Sequence, residues 1–186
     1  MADVIVVGGG PAGATTALLL ARQGRRVMIV EREAFPRPKA CGDCLSAAAT
    51  GLLRRLGLLD RVLGAGAAPI RDWRIRAPAG HGCRGEFDGV TAYALERRHL
   101  DAILLDAAVE AGARLVNGRV LDLVAPAGVA VRNGAREARA RPARLVVGAD
   151  GLRSVVARRA GLVRRRPRLR KVSLTTHGVG AEGELD

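Results

Sequence analysis

The sequence predicts an α/β fold, a parallel sheet with helices on its faces, from three stretches. The first is Val4-Ile5-Val6-Val7, a continuous apolar run followed at once by Gly8-Gly9-Gly10-Pro11-Ala12-Gly13 and a helical pattern. A strand covered on both faces requires such a run. The second is Val27-Met28-Ile29-Val30, which ends in the acidic Glu31. The third is Leu145-Val146-Val147-Gly148-Ala149, which brings Asp150-Gly151 to the same sheet edge as the glycine turn.

The first unit carries chemistry as well as fold. Gly8, Gly10 and Gly13 match G-x-G-x-x-G directly after a strand and at the start of a helix. In that pattern the first glycine permits the turn, the second lets backbone approach a pyrophosphate, and the third lets helix and sheet pack closely. Ala12 lies inside the turn, and the helix N-terminus offers free N–H groups and a positive dipole end. Glu31 follows Gly8 by 23 positions, where a carboxylate accepts hydrogen bonds from a ribose 2′-OH, and Arg32 comes next. The combination points to an adenine-dinucleotide site; the alternative is a glycine turn with only a structural role. The acid argues against the 2′-phosphate of NADP here, which leaves FAD or NAD.

The remaining elements follow in order. Ala14, Ala17, Leu18 and Ala21 share one helical face, and Gly24 ends that helix. Residues 32–42 read as a loop, because Pro36 and Pro38 break any periodicity. Ser46 caps a helix through Leu56 with Leu52, Leu53 and Leu56 inward, and further helical turns span 58–63. Residues 70–76 and 92–95 read as strands around the glycine-rich 78–82, an excursion from the nucleotide domain. Leu100, Ile103, Leu104, Ala107 and Ala111 then recur at helical spacing up to Gly112, and 113–116 is a strand. Strands at 121–124, 129–132 and 136–140 form a three-stranded meander, with turns at Pro126-Ala127-Gly128 and Asn133-Gly134. After the 145–149 strand, a helix runs over 152–160, and 170–178 reads as the start of one more strand.

Composition bounds the function. The 186 residues are 48% hydrophobic and 26% charged, which is globular and large enough for one domain or one plus part of another. No apolar run has membrane-spanning length and no basic N-terminal segment marks secretion, so a cytoplasmic protein is expected. The net charge of +13 rests almost wholly on arginine, with Lys39 and Lys171 the two lysines. The run from Arg164 to Lys171 could attract an anionic surface, but aromatics are 2% of the chain and supply no base-stacking platform. A solvated connector is the reading, with no nucleic-acid partner and no specific indication of a membrane surface. Cys41, Cys44 and Cys83 are an odd count in a chain without a secretory signal, which argues against a disulfide framework. Cys41-Gly42-Asp43-Cys44 leaves a zinc site with His81 and Cys83, or a dithiol redox couple, as minor alternatives. No second C-x-x-C exists, however, and the spacing fits no common zinc module. No metal is expected. Nothing resembles a hydrolase triad or a catalytic carboxylate pair.

Three separated motifs converge on a family: the glycine turn with Glu31; Leu95-Glu96-Arg97-Arg98-His99-Leu100-Asp101 opening a helix; and Gly148-Ala149-Asp150-Gly151-Leu152-Arg153-Ser154. In this order they resemble the FAD-dependent oxidoreductases of the p-hydroxybenzoate hydroxylase superfamily. Arg37-Pro38-Lys39-Ala40-Cys41-Gly42 resembles the corresponding loop of the geranylgeranyl reductase-like branch. The resemblance implies a Rossmann-like FAD-binding domain with a parallel sheet and a three-stranded β-meander, plus incomplete strands of a second, substrate domain. The first comprises 1–68 and 97–162, with the meander at about 118–141; the second comprises 69–96 and 168–186.

By the same resemblance, Glu31 binds the adenosine ribose and Arg97 lies beside the cofactor. Asp150 and Gly151 stand near the pyrophosphate and the path of an NAD(P)H donor, and the loop carrying Cys41 and Gly42 approaches the flavin. Each has a structural alternative: Asp150 as a helix cap, Arg97 as a solvated helix start, Cys41 as a small buried residue. His81 and His99 are read as structural. The implied activity is flavin-mediated reduction of a hydrophobic, isoprenoid-type small molecule. The alternatives are a hydroxylase or halogenase of the same fold, or a truncated, non-catalytic dinucleotide module. The family's later Gly-Asp motif, which holds the ribityl chain, is not in these 186 residues. The expectation is therefore a fragment without turnover and with weak FAD affinity; no catalytic residue and no oligomeric state is assigned.

Overall fold

A computed structural model describes residues 1–86, 91–135, 137–163 and Leu174. Strand β1 (Ala2–Val7), helix α1 (Pro11–Arg22) and strand β2 (Val27–Glu31) form the expected opening unit. They belong to a six-stranded sheet with β8 (Arg114–Asn117), β9 (Arg119–Leu123), β10 (Gly128–Arg132) and β11 (Arg139–Gly148), in the order β8-β2-β1-β11-β10-β9. Strands β8, β2, β1 and β11 run parallel; β10 and β9 extend the sheet antiparallel.

Alternate residues of β1 explain why its apolar run is unbroken. Val4 and Val6 join a core with Ala14, Ala17 and Leu18 of α1 and with Leu100, Leu104 and Ala108 of α4 (Arg97–Glu110). Ile5 and Val7 face the other side, with Val120, Val129, Val131 and Ala143. Side chains of period two must serve both faces of a doubly covered strand. Helix α5 (Val155–Arg159) adds Val155 and Val156 to that second face.

The sequence reading has two strands here, 136–140 and 145–149. The structure has one strand of 10 residues. Its first half pairs antiparallel with β10 and its second half parallel with β1. Pro142 stands opposite Gly128, where a Cβ would come within 2.6 Å of the Arg141 carbonyl oxygen, and the chain crosses there from one pairing to the other. The meander is thus fused to the parallel sheet through a shared strand. Arg136 lies outside the described residues.

Helix α2 (Ala47–Arg55) begins at the expected cap, Ser46, whose Oγ accepts a hydrogen bond from Ala49 N. Leu53 and Leu56 are buried as expected, but Leu52 is exposed. Helix α3 (Leu59–Gly64) follows. The expected strand 70–76 is two strands in different sheets. β4 (Ala68–Ile70) pairs with β7 (Ala92–Ala94), and β7 also pairs with β3 (Cys44–Leu45). β5 (Asp72–Arg76) forms a hairpin with β6 (Gly82–Glu86). β3 and β6 carry no apolar run, and their partners alone define them. Helix α5 starts later than the expected 152–160, since Gly151 takes φ +78° and Ser154 is the cap. The arginine run and the expected strand at 170–178 lie outside the described residues, apart from the irregular Leu174. No helix among the described residues is long and apolar enough to cross a membrane.

Candidate dinucleotide site

The three glycines of the turn do different work. Gly8 has φ +101°, and a Cβ there would run into the carbonyl oxygen of Ala149. A Cβ on Gly13 would overlap the carbonyl oxygen of Gly8 and lie 3.2 Å from Ala149 Cβ. These two glycines let the turn, α1 and the end of β11 close on one another. The turn is further fixed by Gly8 N donating to Val30 O (2.9 Å) and Ala149 N donating to Val7 O (2.8 Å). Gly10 is different. Its φ of −69° suits any residue, and a Cβ there would find Arg37 Nη2 at 3.7 Å and nothing else within 4 Å. The space above Gly10 is open to a ligand. The first helical bond of α1 runs from Ala14 N to Gly10 O, so the amides of Ala12 and Gly13 precede it and have no intrahelical acceptor. Pro11, at the first helical position, forfeits no bond by lacking an N–H.

Glu31 is buried, and its carboxylate is already engaged by backbone. Oε2 accepts from Gly9 N (2.6 Å), and Oε1 from Arg32 N (2.8 Å) and Glu33 N (2.9 Å). The side chain staples the glycine turn to the end of β2. A carboxylate offers about four acceptor positions, which leaves one on Oε2 for a further donor. Beside this strand end lies a cavity of about 330 Å³ lined by Arg32, Glu33, Asn117, Gly118, Arg119 and Arg132. Asn117 stands opposite Glu31 in the β2–β8 register, and Gly118 N donates to Glu31 O (2.8 Å). The sequence reading names Arg32 alone among these cavity residues. Asn117 and Gly118 enter only through the strand order, which puts β8 next to β2.

Arg97, at the start of α4, donates from Nε to Asp101 Oδ1 (2.8 Å) and from Nη2 to Oδ2 (3.1 Å). Asp101 is fully buried and also faces Arg37, whose Nη2 lies 3.5 Å from Oδ2. Burial works against the Arg97 charge, but hydrogen bonding to Asp101 and to Cys41 outweighs it and holds the pKa above its ordinary value. Asp43 ties down the same loop, since its Oδ1 accepts from Arg97 N (3.1 Å) and its carbonyl from Leu95 N (2.9 Å). The 35–43 loop is thereby clamped to the start of α4. Asp101 sits within the quoted motif, four residues from Arg97, and that spacing was the available signal for the pair. Asp101→Leu should lower stability by about 3 kcal/mol, because two guanidiniums would lose their buried counter-charge. The lower end of the usual range applies, since Arg37 and Arg97 keep 17% and 19% side-chain exposure. A urea melt indistinguishable from wild type would contradict this.

Asp150 reaches the glycine turn as expected, its Cα 3.0 Å from a Cβ placed on Gly8. Its carboxylate, however, serves α5: Oδ1 accepts from Ser154 Oγ (2.5 Å) and Oδ2 from Val155 N (2.5 Å). Gly151 is exposed, with open space around it. Gly42 is likewise exposed and unpacked, while Cys41 is partly buried beside Arg97. The structure thus joins Gly8, Gly10, Gly13 and Asp150 at one sheet edge. Arg37 links this edge to Asp101, which Arg97 shares, Arg97 reaches Cys41, and Glu31 links the edge to the Arg32 cavity. Cys44 and Cys83 are exposed, and no group of three or more His, Cys, Asp or Glu side chains suited to a metal ion occurs among the described residues.

Comparison with known proteins gives this arrangement a family. The family model described as FAD binding domain matches residues 1–179. The chain is 40% identical to digeranylgeranylglycerophospholipid reductase 1 of Methanopyrus kandleri, over 87% of this chain and 42% of that protein. It is 34% identical to menaquinone reductase of Mycobacterium tuberculosis, over 99% of this chain and 44% of that protein. Among solved structures, a geranylgeranyl bacteriochlorophyll reductase-like protein from Thermoplasma acidophilum superposes with a TM-score of 0.76. It shares 30% identity over 87% of this chain and 42% of that one. The chain spans less than half the length of each of these relatives. Fold, glycine turn and family match agree: the chain belongs to the FAD binding domain family of flavin-dependent oxidoreductases.

Proposed function

We propose that this chain holds the ADP half of FAD over the glycine turn, and that the protein it represents reduces a hydrophobic, isoprenoid-type small molecule. One observation carries the binding reading. Gly10 is the glycine of the motif that neither conformation nor internal packing requires, and it lies where a Cβ would fill the approach to the α1 amides. In this reading the Ala12 and Gly13 amides take the diphosphate, favoured by the positive end of the helix. The remaining acceptor position on Glu31 takes a ribose hydroxyl, and the Arg32 cavity takes the adenosine end. Gly8, Gly13, Asp150 and Gly151 shape the edge, and Arg97, Cys41 and Gly42 face the flavin end. The bound flavin supplies the electron chemistry, while these residues position it and exclude water. NAD(P)H is the proposed electron donor. Residues 1–68 and 97–162 form the cofactor domain in this reading, and 69–96 with 168–186 belong to the substrate domain.

The reductase names of the relatives support reduction over oxygen activation or halogenation. Two measurements test the reading. In thermal-shift titrations of the chain, FAD should raise the midpoint more than NAD or NADP; stabilisation by NAD but not by FAD contradicts it. With full-length protein, anaerobically reduced flavin should be reoxidised by an isoprenoid alkene. Product formed only with oxygen, as a hydroxylated or halogenated compound, would overturn the reductase assignment.

A further inference from the structure

We propose that Cys41 and Cys44 form an oxidant-sensitive dithiol, in which Cys41 attacks a hydroperoxide and Cys44 closes the disulfide. This goes beyond the cofactor reading and does not depend on it. All three cysteines are free thiols, but they stand in different surroundings. Cys44 and Cys83 are exposed, whereas Cys41 is half-buried and accepts a hydrogen bond from the Arg97 guanidinium. That guanidinium is held in place by two further bonds, of 2.8 and 3.1 Å, to the fully buried Asp101. A fixed cation beside a partly exposed sulfur stabilises the negative charge the sulfur carries as it attacks a peroxide oxygen. Cys83, opposite Ile75 on the β5–β6 hairpin, is the internal comparison.

The second thiol lies three residues on, in the same anchored loop, and the two residues between suit closure. A fully extended C-x-x-C holds its terminal Cα atoms about 10 Å apart, beyond the span of a disulfide. Here Asp43 has φ +53°, the one left-handed residue other than glycine among the described residues, so the segment is not extended. Asp43 is fixed by Leu95 N, which donates to its carbonyl, and by Arg97 N, which donates to Oδ1. Gly42 is exposed, with nothing within 4 Å of where a side chain would stand, so the remaining movement meets no obstacle. In the first step the Cys41 sulfur bonds to one peroxide oxygen and the O–O bond breaks. Cys41 becomes a sulfenic acid and the peroxide leaves as water or an alcohol. The Cys44 sulfur then bonds to the Cys41 sulfur, and the sulfenic oxygen departs as water with the Cys44 proton. Two electrons pass from the thiol pair to the peroxide. The disulfide takes the Cys41 sulfur from Arg97 and ties this loop to Cys44, the first residue of β3.

The test treats the folded 186-residue chain with hydrogen peroxide and follows its tryptic peptides by mass spectrometry. Trypsin releases residues 40–54 with both thiols on one peptide, and residues 77–84 with Cys83 on another. The 40–54 peptide should lose two hydrogens and regain them with dithiothreitol, while Cys83 stays reduced. In Cys44→Ser, dimedone present during oxidation should label Cys41 as a trapped sulfenic acid. In Cys41→Ser, Cys44 should label no faster than Cys83. Arg97→Gln should slow Cys41 labelling several-fold; if that variant does not fold, the comparison of Cys41 with Cys83 in the wild-type chain decides, since urea should abolish the difference between them. Oxidation of Cys83 as fast as Cys41 in the folded chain would overturn the proposal. So would a Cys41 that passes to sulfinic acid, or links two chains on a non-reducing gel, without forming the internal disulfide. None of these results bears on FAD binding, which the thermal-shift titrations decide separately.

Discussion

Gly13→Val should unfold the chain or bring it to the edge of unfolding. A Cβ at this position overlaps the Gly8 carbonyl oxygen, and Ala149 Cβ lies 3.2 Å away on the other side. The first obstacle is backbone, held by Gly8 N bonding to Val30 O, so it cannot rotate aside as a side chain would. Relief requires moving α1 off the sheet. That motion would open the core formed by Ala14, Ala17 and Leu18 against Val4 and Val6. Overpacking in a well-filled core costs about 1–3 kcal/mol, and an unyielding backbone partner places this case at or above the top of that range. A domain holds only about 5–15 kcal/mol in total, so the loss is large. Urea denaturation of the two proteins measures it; a midpoint equal to wild type would show that Gly13 is not the contact between helix and sheet described above.

Much of this architecture was legible because the relevant signals are local. The β1 run, the glycine spacing, the α1 face and the Ser46 cap each depend on residues within one turn or one strand of each other. What escaped depends on partners distant in sequence. Pro142 breaks the apolar pattern within β11, and only the pairing with Gly128 across the ladder, where a Cβ would meet the Arg141 carbonyl oxygen, shows the strand to be continuous. β3 and β6 are strands only by virtue of β7 and β5. Leu52 fits a buried helical face by spacing, but α2 is covered through Thr50 and Leu53. At the site, the glycine spacing did not distinguish the packing roles of Gly8 and Gly13 from the openness at Gly10. Nor did it show that Glu31 already binds the amides of Gly9, Arg32 and Glu33. The Arg37–Asp101–Arg97 cluster joins a loop to a helix some 60 residues later, and only the fold brings them together.

Gly10→Val should have the opposite signature to Gly13→Val, namely lost binding in an intact fold. At φ −69°, with only the end of the flexible Arg37 side chain nearby, valine fits this backbone without strain. Its methyl groups would occupy the approach to the Ala12 and Gly13 amides and push a diphosphate away from the helix end. Losing two charge-assisted hydrogen bonds together with the dipole attraction corresponds to about 3 kcal/mol or more, at least roughly 100-fold in affinity. The decisive measurement is therefore a fluorescence titration of FAD against the wild-type chain and Gly10→Val, with melting curves recorded on the same samples. Matching melts are expected, with FAD binding weakened at least roughly 100-fold in the variant. Undiminished FAD binding by a folded Gly10→Val protein would contradict the placement of the cofactor over the glycine turn.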